Sequence, residues 1–468
     1  MRSRLCIAVA VVLTAALAPI GVASVSRAQT EERTVAVSLV DEGPAPEFAG
    51  LGRLAYIEGS RVHVVDGFRG ARVLLDGFGG ATRVAWSGDG SMLAIAVGSR
   101  LYLYRYGDTK VQWLPDDVSR WDWSPRGAAL AWSAARVPNG FAGHGLNVTT
   151  FGADGPSTEA IVPDVDVVDF VWSQQRRLAY LTFGPKPPGT KPAEFSALFT
   201  TDVGPGVTPR RVTLLPPGRH GYLQLAGFTS DGNNLLFWDN PLASGSGAAD
   251  GLPLMTVPVD GGTPATLART LVRRSWVAQG AGGLLEIVAG GGRDAMQRRS
   301  LVSCVGSACS DTTDAAVSEL DPAWSVDGRR LAFVRAAPVE VPRSTPPNPL
   351  EENLTRYRAR TLWVGAPGEE PVEVRGAGAG VADPQWALDG RHVVVLRDAQ
   401  LWLVDVRGGD AVAISGVLGS GGQDPFPAGG AAYEASDQYP EILQAQGTSS
   451  WFQGPGIASV SAQPRFTG

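Results

Sequence analysis

Histidine, cysteine and charged residues are scarce in this sequence, and these scarcities argue against particular classes of function. Four histidines and three cysteines occur among 468 residues, and no His-Glu-x-x-His motif is present, so we predict no metal site. Charged side chains make up 18% and the net charge is -6, which argues against a dedicated nucleic-acid binder. No Gly-x-Ser-x-Gly nucleophile elbow, phosphate-binding loop or dinucleotide glycine motif occurs. We therefore expect no catalytic residues and no cofactor.

Glycine and proline, in contrast, are abundant, with 59 and 34 residues. Both residues interrupt helices, so this composition excludes a coiled coil or a long-helix protein. The hydrophobic fraction of 44% is high enough to build a large core, which excludes a disordered chain.

The N-terminus has the layout of a secretory signal peptide. Two arginines precede an uncharged apolar run from Leu5 to Ala23, and Ser26-Arg27-Ala28 places small residues around a cleavage site. We predict a signal peptide over residues 1–28 and a periplasmic, cell-wall-associated or extracellular protein. A retained membrane anchor is the alternative, because the run approaches the length that spans a bilayer.

Two cysteines remain after this segment, Cys304 and Cys309, separated by four residues. In an oxidising compartment this spacing predicts a disulfide across a short hairpin. A metal site at the pair would lack further ligands, because no histidine lies nearby in the sequence.

A repeat organises the rest of the chain. It is clearest in Trp324-Ser-Val-Asp-Gly-Arg-Arg-Leu-Ala-Phe and in the segments that begin at Trp86 and Trp386. Weaker copies start at other aromatic residues. The anchors of all copies are Phe48, Trp86, Trp123, Trp172, Phe228, Trp276, Trp324 and Trp386.

Each copy predicts four short antiparallel strands, with the anchor closing the first strand and Asp-Gly supplying positive φ angles in the next turn. Such units are typical of β-propeller blades, and the anchors are expected to pack between blades. We predict an all-β propeller over residues 48–416 with eight blades. Seven is the alternative, since the copies at Phe48 and Trp276 are the weakest. Residues 29–47 form a lead-in and 417–468 a tail; Thr34–Val40 or part of the tail closes the ring.

The Trp-Ser-x-Asp-Gly-x-x-Leu-Ala-Phe pattern resembles the repeat of TolB-like propellers. It is also similar to the propeller domains of prolyl oligopeptidase-type peptidases, although no hydrolase domain is present here. The resemblance covers residues 48–416 and implies a periplasmic protein that binds other envelope proteins. This chain departs from TolB in having more copies than six and no helical N-terminal domain.

Four insertions occur at one position of the repeat, between the second and third strands. They are Ala134–Gly145, Gly184–Glu194, Asn240–Gly251 and Ala336–Arg360. All four should lie on one side of the disc, and insertions in repeat proteins commonly mark the binding face. Neutral drift in tolerant loops is the alternative, because added loop length costs little entropy.

The residue three positions before most anchors is charged, and these residues should ring the mouth of the central channel on the same side. They are Arg83, Arg120, Asp169, Arg273, Asp321 and Asp383. The other interpretation is local: the aspartates cap turns and the arginines form surface ion pairs. Within the last insertion, the residues expected to contact a partner are Glu351, Arg356, Tyr357 and Arg358.

Together these patterns predict an exported, monomeric, non-catalytic propeller that binds another envelope or secreted protein through its insertion-bearing face. A propeller hydrolase or lyase with a site at the channel mouth is one alternative. A carbohydrate-binding propeller is another, and it would require exposed aromatic platforms around a groove.

Overall fold

The structure is a computed structural model. It describes residues 34–114, 117–135, 143–152, 155–183, 196–204, 206–215, 222–240, 250–290, 298–310, 317–338, 355–418 and 449–452. The predicted signal peptide and most of the predicted insertions lie outside these ranges.

The described strands form eight successive blades, numbered here in chain order. The lead-in holds β1 (Thr34–Ala36) and β2 (Ser38–Pro44), and blade 1 holds β3 (Arg53–Glu58), β4 (Arg61–Asp66) and β5 (Ala71–Asp76). Blade 2 holds β6 (Ala81–Trp86), β7 (Met92–Val97), β8 (Arg100–Arg105) and β9 (Lys110–Trp113). Blade 3 holds β10 (Val118–Trp123), β11 (Ala129–Ala135), β12 (Gly143–Gly152) and the first half of β13 (Gly155–Trp172).

Blade 4 takes the second half of β13, followed by β14 (Arg177–Phe183), β15 (Ser196–Asp202) and β16 (Arg210–Arg211). Blade 5 holds β17 (Tyr222–Phe228), β18 (Asn234–Asn240), β19 (Leu252–Pro258) and β20 (Ala265–Thr270). Blade 6 holds β21 (Val277–Gln279), β22 (Leu284–Ala289), β23 (Ser300–Val305) and β24 (Ala308–Ser310).

Blade 7 holds β25 (Ser318–Trp324), β26 (Leu331–Ala336), β27 (Arg360–Gly365) and β28 (Val372–Glu373). Blade 8 holds β29 (Val381–Trp386), β30 (His392–Arg397), β31 (Gln400–Asp405) and β32 (Val412–Ala413), and the last described strand is β33 (Ser449–Phe452). Short 3-10 turns cover Pro46–Phe48, Arg274–Trp276, Ala281–Gly283 and Arg375–Ala377, and residues 355–358 form one helical turn. The fold is the all-β propeller predicted from the repeat.

The anchor tryptophans hold neighbouring blades together. The indole Nε1 of Trp123 donates to the carbonyl of Ala85 at 3.0 Å, and that of Trp386 donates to Ala323 at 2.9 Å. In each case the acceptor directly precedes the anchor of the preceding blade. These tryptophans are at most 6% exposed, so they serve packing between blades and cannot act as sugar-stacking platforms.

The turn after each anchor depends on its aspartate and glycine in different ways. Gly90 has a φ of 65°, whereas Asp89 does not have a positive φ and acts through its side chain. The Asp89 carboxylate accepts the hydroxyl of Ser87 at 2.7 Å and the backbone N–H of Ser91 at 3.0 Å. The aspartate therefore closes a side-chain turn, and only the glycine supplies the positive φ that the sequence pattern predicted for both.

Blade 1 departs from the predicted plan. Phe48 does not close a first strand; it is buried in the 3-10 turn Pro46–Phe48. The innermost position beside β3 is taken by β33 from the C-terminal tail, and β2 forms the outermost strand. Of the two segments proposed for ring closure, the tail supplies the innermost strand β33, whereas Thr34–Val40 contributes to the outer strands β1 of blade 2 and β2 of blade 1. A cluster that includes Phe48, Leu54 and Leu396 packs blade 1 against blade 8.

Blade 6 also departs from the plan, because Trp276 is not its anchor. Strand register places Gln279 opposite Leu285, just as Trp324 lies opposite Leu331 in blade 7. The Gln279 side chain amide donates to the carbonyl of Phe228 in blade 5. Glutamine thus makes the contact between blades that tryptophan makes elsewhere, while Trp276 is buried in the preceding 3-10 turn.

The predicted disulfide between Cys304 and Cys309 is present. The two residues lie directly opposite each other on β23 and β24, with Cα atoms 4.0 Å apart. It joins the outer strands of blade 6.

Connections between second and third strands divide the ring into two arcs. In blades 1, 2 and 8 they are the two-residue turns 59–60, 98–99 and 398–399. In the five consecutive blades 3 to 7 they are longer, and they occupy 136–142, 184–195, 241–251, 290–299 and 337–359. Four of these were predicted, and the one in blade 6 was missed. Turns between described strands on the opposite side have two to seven residues; the longest, 203–209 in blade 4, equals the connection 136–142 in blade 3 and is shorter than the other four.

Candidate binding site at the channel mouth

Strand register places the predicted rim positions toward the side with the long connections. Arg120 lies opposite Ser133, close to the end of β11. Asp169 lies opposite Leu181, close to the end of β14. Since the second-to-third connections leave from these strand ends, the innermost strands bring both residues to the insertion-bearing side of the channel.

Asp169 joins three blades. Its carboxylate accepts hydrogen bonds from Arg120 of blade 3 and from Nη2 of Arg274, which approaches both oxygens at 2.5 and 2.6 Å. The backbone N–H of Leu225 donates to it at 3.2 Å, and Arg274 Nε donates to the Leu225 carbonyl at 2.8 Å. Burial disfavours the charged form, but the two guanidinium groups outweigh it and hold the Asp169 pKa below its ordinary value.

A second carboxylate, Asp122, lies near the same arginines. Burial raises the pKa of Asp122 to about 6, although Arg83, Arg274 and Arg120 each favour its charged form. The guanidinium of Arg83 lies over the ring of Trp121, 4.1 Å from its centroid. We call the five residues Arg83, Arg120, Asp122, Asp169 and Arg274 the basic cluster, because its three arginines exceed its two aspartates.

The sequence pattern identified Arg83, Arg120 and Asp169 but not the other two members. It named Arg273, whose guanidinium lies 4.8 Å from the ring centroid of Trp276, whereas its neighbour Arg274 reaches Asp169. The error follows from taking Trp276 as an anchor. An alignment of Leu285 with Leu331 would have identified Gln279 as the anchor of blade 6. It would not have identified Arg274, because this residue lies in a 3-10 turn outside the repeat pattern.

Asp321 and Asp383 form a separate acidic pair on blades 7 and 8. Each lies in a β-bulge before a proline, with φ values of 50° and 49°. The Asp383 N–H approaches Asp321 Oδ2 at 3.5 Å, and Arg360 Nη1 lies 3.8 Å from the same oxygen. Left-handed backbone at a non-glycine residue is strained, so the bulges hold these carboxylates in place at an energetic cost.

The residues predicted to protrude from the last insertion are not all exposed, and one of them lies outside the described residues. Glu351 lies outside the described residues, and Arg356 and Arg358 belong to the helical turn 355–358. Tyr357 was expected to be exposed, but it is 5% exposed, with the Arg360 guanidinium 5.4 Å from its ring centroid. Because its ring is buried, the predicted exposure of Tyr357 is wrong. Arg358 is exposed.

The described ranges contain neither a membrane-spanning helix nor a cluster of metal ligands. No helix there is long and apolar enough to cross a membrane. Among the same residues, no group of three or more histidine, cysteine, aspartate or glutamate side chains could hold a metal ion.

Comparisons with known proteins give distant structural similarity alone. No protein family and no curated protein sequence matches this chain. A eukaryotic initiation factor structure is 11% identical, with a TM-score of 0.45, over 78% of this chain and 96% of that one. A prolyl endopeptidase has 13% identity and a TM-score of 0.45, over 78% of this chain and 48% of that one.

A putative TolB from Agrobacterium tumefaciens is 15% identical, with a TM-score of 0.30, over 78% of this chain and 88% of that one. All three are less than 25% identical to this chain and have TM-scores below 0.5, so the fold assignment depends on the strand pairings described above.

Proposed function

We propose that this chain is an exported, non-catalytic propeller that binds another envelope or secreted protein through its insertion-bearing face. The observation that carries the proposal is the division of the ring. Five consecutive blades have second-to-third connections of seven to 23 residues, whereas turns between described strands on the opposite side have two to seven residues. Neutral drift in loop length would be expected to affect blades all around the ring and both of its sides. A binding surface, in contrast, requires long loops on neighbouring blades and on one side.

The channel mouth on the same side supports a polar partner. The basic cluster and the acidic pair give this mouth charges of both signs, which suit a polypeptide surface and favour correct orientation during association. A position within a TolB-like group of envelope proteins is part of the proposal, because the Trp-Ser-x-Asp-Gly repeat resembles theirs.

Export is proposed from two features. Residues 1–28 have the layout of a signal peptide. The Cys304–Cys309 disulfide is of a kind that persists in oxidising compartments.

The three lysines of the chain allow a direct test of the face. Lys186 and Lys191 lie outside the described residues, in the sequence between β14 and β15, and the ends of these two strands are on the insertion-bearing side. Lys110 begins β9 just after a turn on the opposite side. Amine-reactive cross-linking of the exported protein in its native envelope fraction, followed by mass spectrometry, should recover partner peptides attached to Lys186 or Lys191.

Matched variants assign the cross-links. Lys186→Arg with Lys191→Arg keeps the charge but removes the reactive amines, so partner cross-links should disappear. Lys110→Arg is the control and should leave them unchanged. Partner cross-links found at Lys110 and absent from the other two lysines would contradict the assignment of the binding face.

A further inference from the structure

Blade 1 is assembled from segments that are far apart in the sequence. Seven blades take the innermost strand from the segment just before their second strand, whereas in blade 1 this position belongs to β33. Residues 419–448 separate β33 from Leu418, the last described residue of blade 8. Without β33, the strands β2, β5, β4 and β3 would still form a four-stranded antiparallel sheet. The tail strand can therefore leave while the blade keeps the four strands that are typical of a propeller.

Strand register gives β33 the place of an anchor strand. Trp451 lies opposite Leu54 on β3, just as Trp324 lies opposite Leu331 in blade 7. Leu54 and Leu331 are both followed by alanine and an aromatic residue, so they occupy the same position of the repeat. The inner edge of β3 thus accepts an extended segment in a defined register, with an aromatic residue opposite Leu54.

The strand β33 covers only part of this edge. Within the described residues it pairs with four residues of β3, from Arg53 to Tyr56, whereas β25 pairs with β26 from end to end. Beyond Tyr56, Ile57 and Glu58 continue β3 toward the turn 59–60 on the insertion-bearing side. An extended segment of six residues would therefore gain two further pairs at this mouth of the channel.

We propose that the inner edge of β3 is a binding site for an extended segment of a partner polypeptide, which takes the place of β33. In this mode of recognition, called β-augmentation, main-chain hydrogen bonds supply affinity and alternate side chains supply specificity. The four residues 54–57 are at most 3% exposed, so a charged side chain opposite them would be costly to desolvate. The segment is therefore uncharged over this stretch and places an aromatic residue opposite Leu54. This site does not depend on the proposed function, which concerns the long connections.

The tail strand competes with any such segment. Its attachment to the same chain gives β33 an effective concentration on the order of millimolar. The tail of a second copy has the same four pairs without this attachment, so it is the weaker competitor. A partner segment with six pairs offsets the attachment through its additional pairs. By occupying the edge, β33 should raise the apparent Kd of the partner segment roughly 5- to 1,000-fold relative to an open edge.

A labelled peptide tests the exchange on the full chain. The probe is a fluorescent, amidated peptide of residues 446–453, and its control peptide has alanine at the position of Trp451. Fluorescence anisotropy measures both peptides on the unmodified chain and on Trp451→Ala, whose own tail strand has lost its anchor. Trp451→Ala should bind the probe at least fivefold more tightly than the unmodified chain does, because the competing strand is weaker. Equal affinities of the two chains for the probe, or of the two peptides for Trp451→Ala, would overturn the proposal.

A matched variant and a stability measurement accompany this comparison. Tyr439→Ala removes an aromatic residue of the tail outside β33, and it should bind the probe as the unmodified chain does. A gain equal to that of Trp451→Ala would overturn the assignment to β33. Excess probe should also raise the unfolding temperature of Trp451→Ala, since a ligand that binds only the folded chain stabilises it. An unchanged unfolding temperature would overturn the site even if this variant is partly unfolded by itself.

Two further measurements identify the site and its occupant. A photoreactive benzophenone at the position of Trp451 in the probe should cross-link to blades 1, 2 or 8, which border the edge of β3. Cross-links confined to other blades would overturn the site. A dimer of the unmodified chain that Trp451→Ala abolishes would overturn the assignment to a partner, because a second copy would then occupy the edge. Partner cross-links at Lys186 or Lys191 test the binding face separately, so the failure of one proposal leaves the other in place.

Discussion

At the scale of single residues, Glu286 is an unusual feature of the core between blades 6 and 7. It is 6% exposed on β22 and accepts the hydroxyl of Ser303 at 2.6 Å. A second carboxylate, Glu319, is held by Arg335 at 2.7 Å and by the Leu301 N–H at 3.1 Å. Burial, with a smaller contribution from Glu319, raises the pKa of Glu286 to about 7.

The raised pKa makes stability depend on pH. Between the ordinary pKa of 4.5 and the folded value near 7, the folded chain retains a proton on Glu286 that the unfolded chain has lost. This group's contribution to the free energy of unfolding therefore falls as pH rises through that interval. Glu286→Gln keeps a hydrogen-bonding side chain without the charge, so it should stabilise the protein at pH 8 by up to about 3 kcal/mol and little at pH 4.5.

Urea denaturation at pH 4.5, 6 and 8 measures this difference. Glu369→Gln, an exposed position in blade 7, is the matched control and should change stability little at every pH. Parallel stability curves for Glu286→Gln and the unmodified protein would show that Glu286 does not titrate as described.

At the scale of single elements, the short hairpins show how local chemistry follows from the repeat. The turns 59–60 and 398–399 have two successive residues with positive φ, the conformation that matches strand twist. Glycine is suited to such positions, yet blade 8 has Asp398 and Ala399, with φ values of 51° and 55°. Alanine pays a steric cost there that glycine does not.

Ala399→Gly should therefore increase the free energy of unfolding by about 1 kcal/mol, despite the usual penalty of glycine. Ala413→Gly, within strand β32, should instead decrease it by roughly 0.5–1 kcal/mol. Chemical denaturation of the two variants beside the unmodified protein compares them directly. Destabilisation of similar size in both variants would show that the turn at Ala399 is not strained.

At the scale of the whole molecule, closure of the ring depends on a distant segment. Strand β33 pairs with β3 through four residue pairs and supplies the innermost strand of blade 1. Its removal would expose an unpaired edge of β3 beside the channel, and exposed edges favour association between chains. In each of the other seven blades, the innermost strand directly precedes the second strand in the sequence.

A chain ending at Leu418 should be less stable than one ending at Phe452. The loss of four cross-strand pairs predicts a difference of about 1–4 kcal/mol in the free energy of unfolding. Thermal unfolding and light scattering of the two truncated proteins measure the stability and the association. Identical unfolding of both would show that β33 contributes nothing to closure.

The sequence by itself determined the blades and the disulfide, because both depend on residues close together in the chain. Trp324 and Asp327 define a turn within a few residues, and Cys304 and Cys309 lie across one hairpin. Only the tertiary structure decided that β33 completes blade 1, that Gln279 replaces Trp276 as an anchor, and that Arg274 reaches Asp169. Those contacts join segments as far apart as β3 and the C-terminal tail, and no spacing along the chain encodes which distant groups meet when the ring closes.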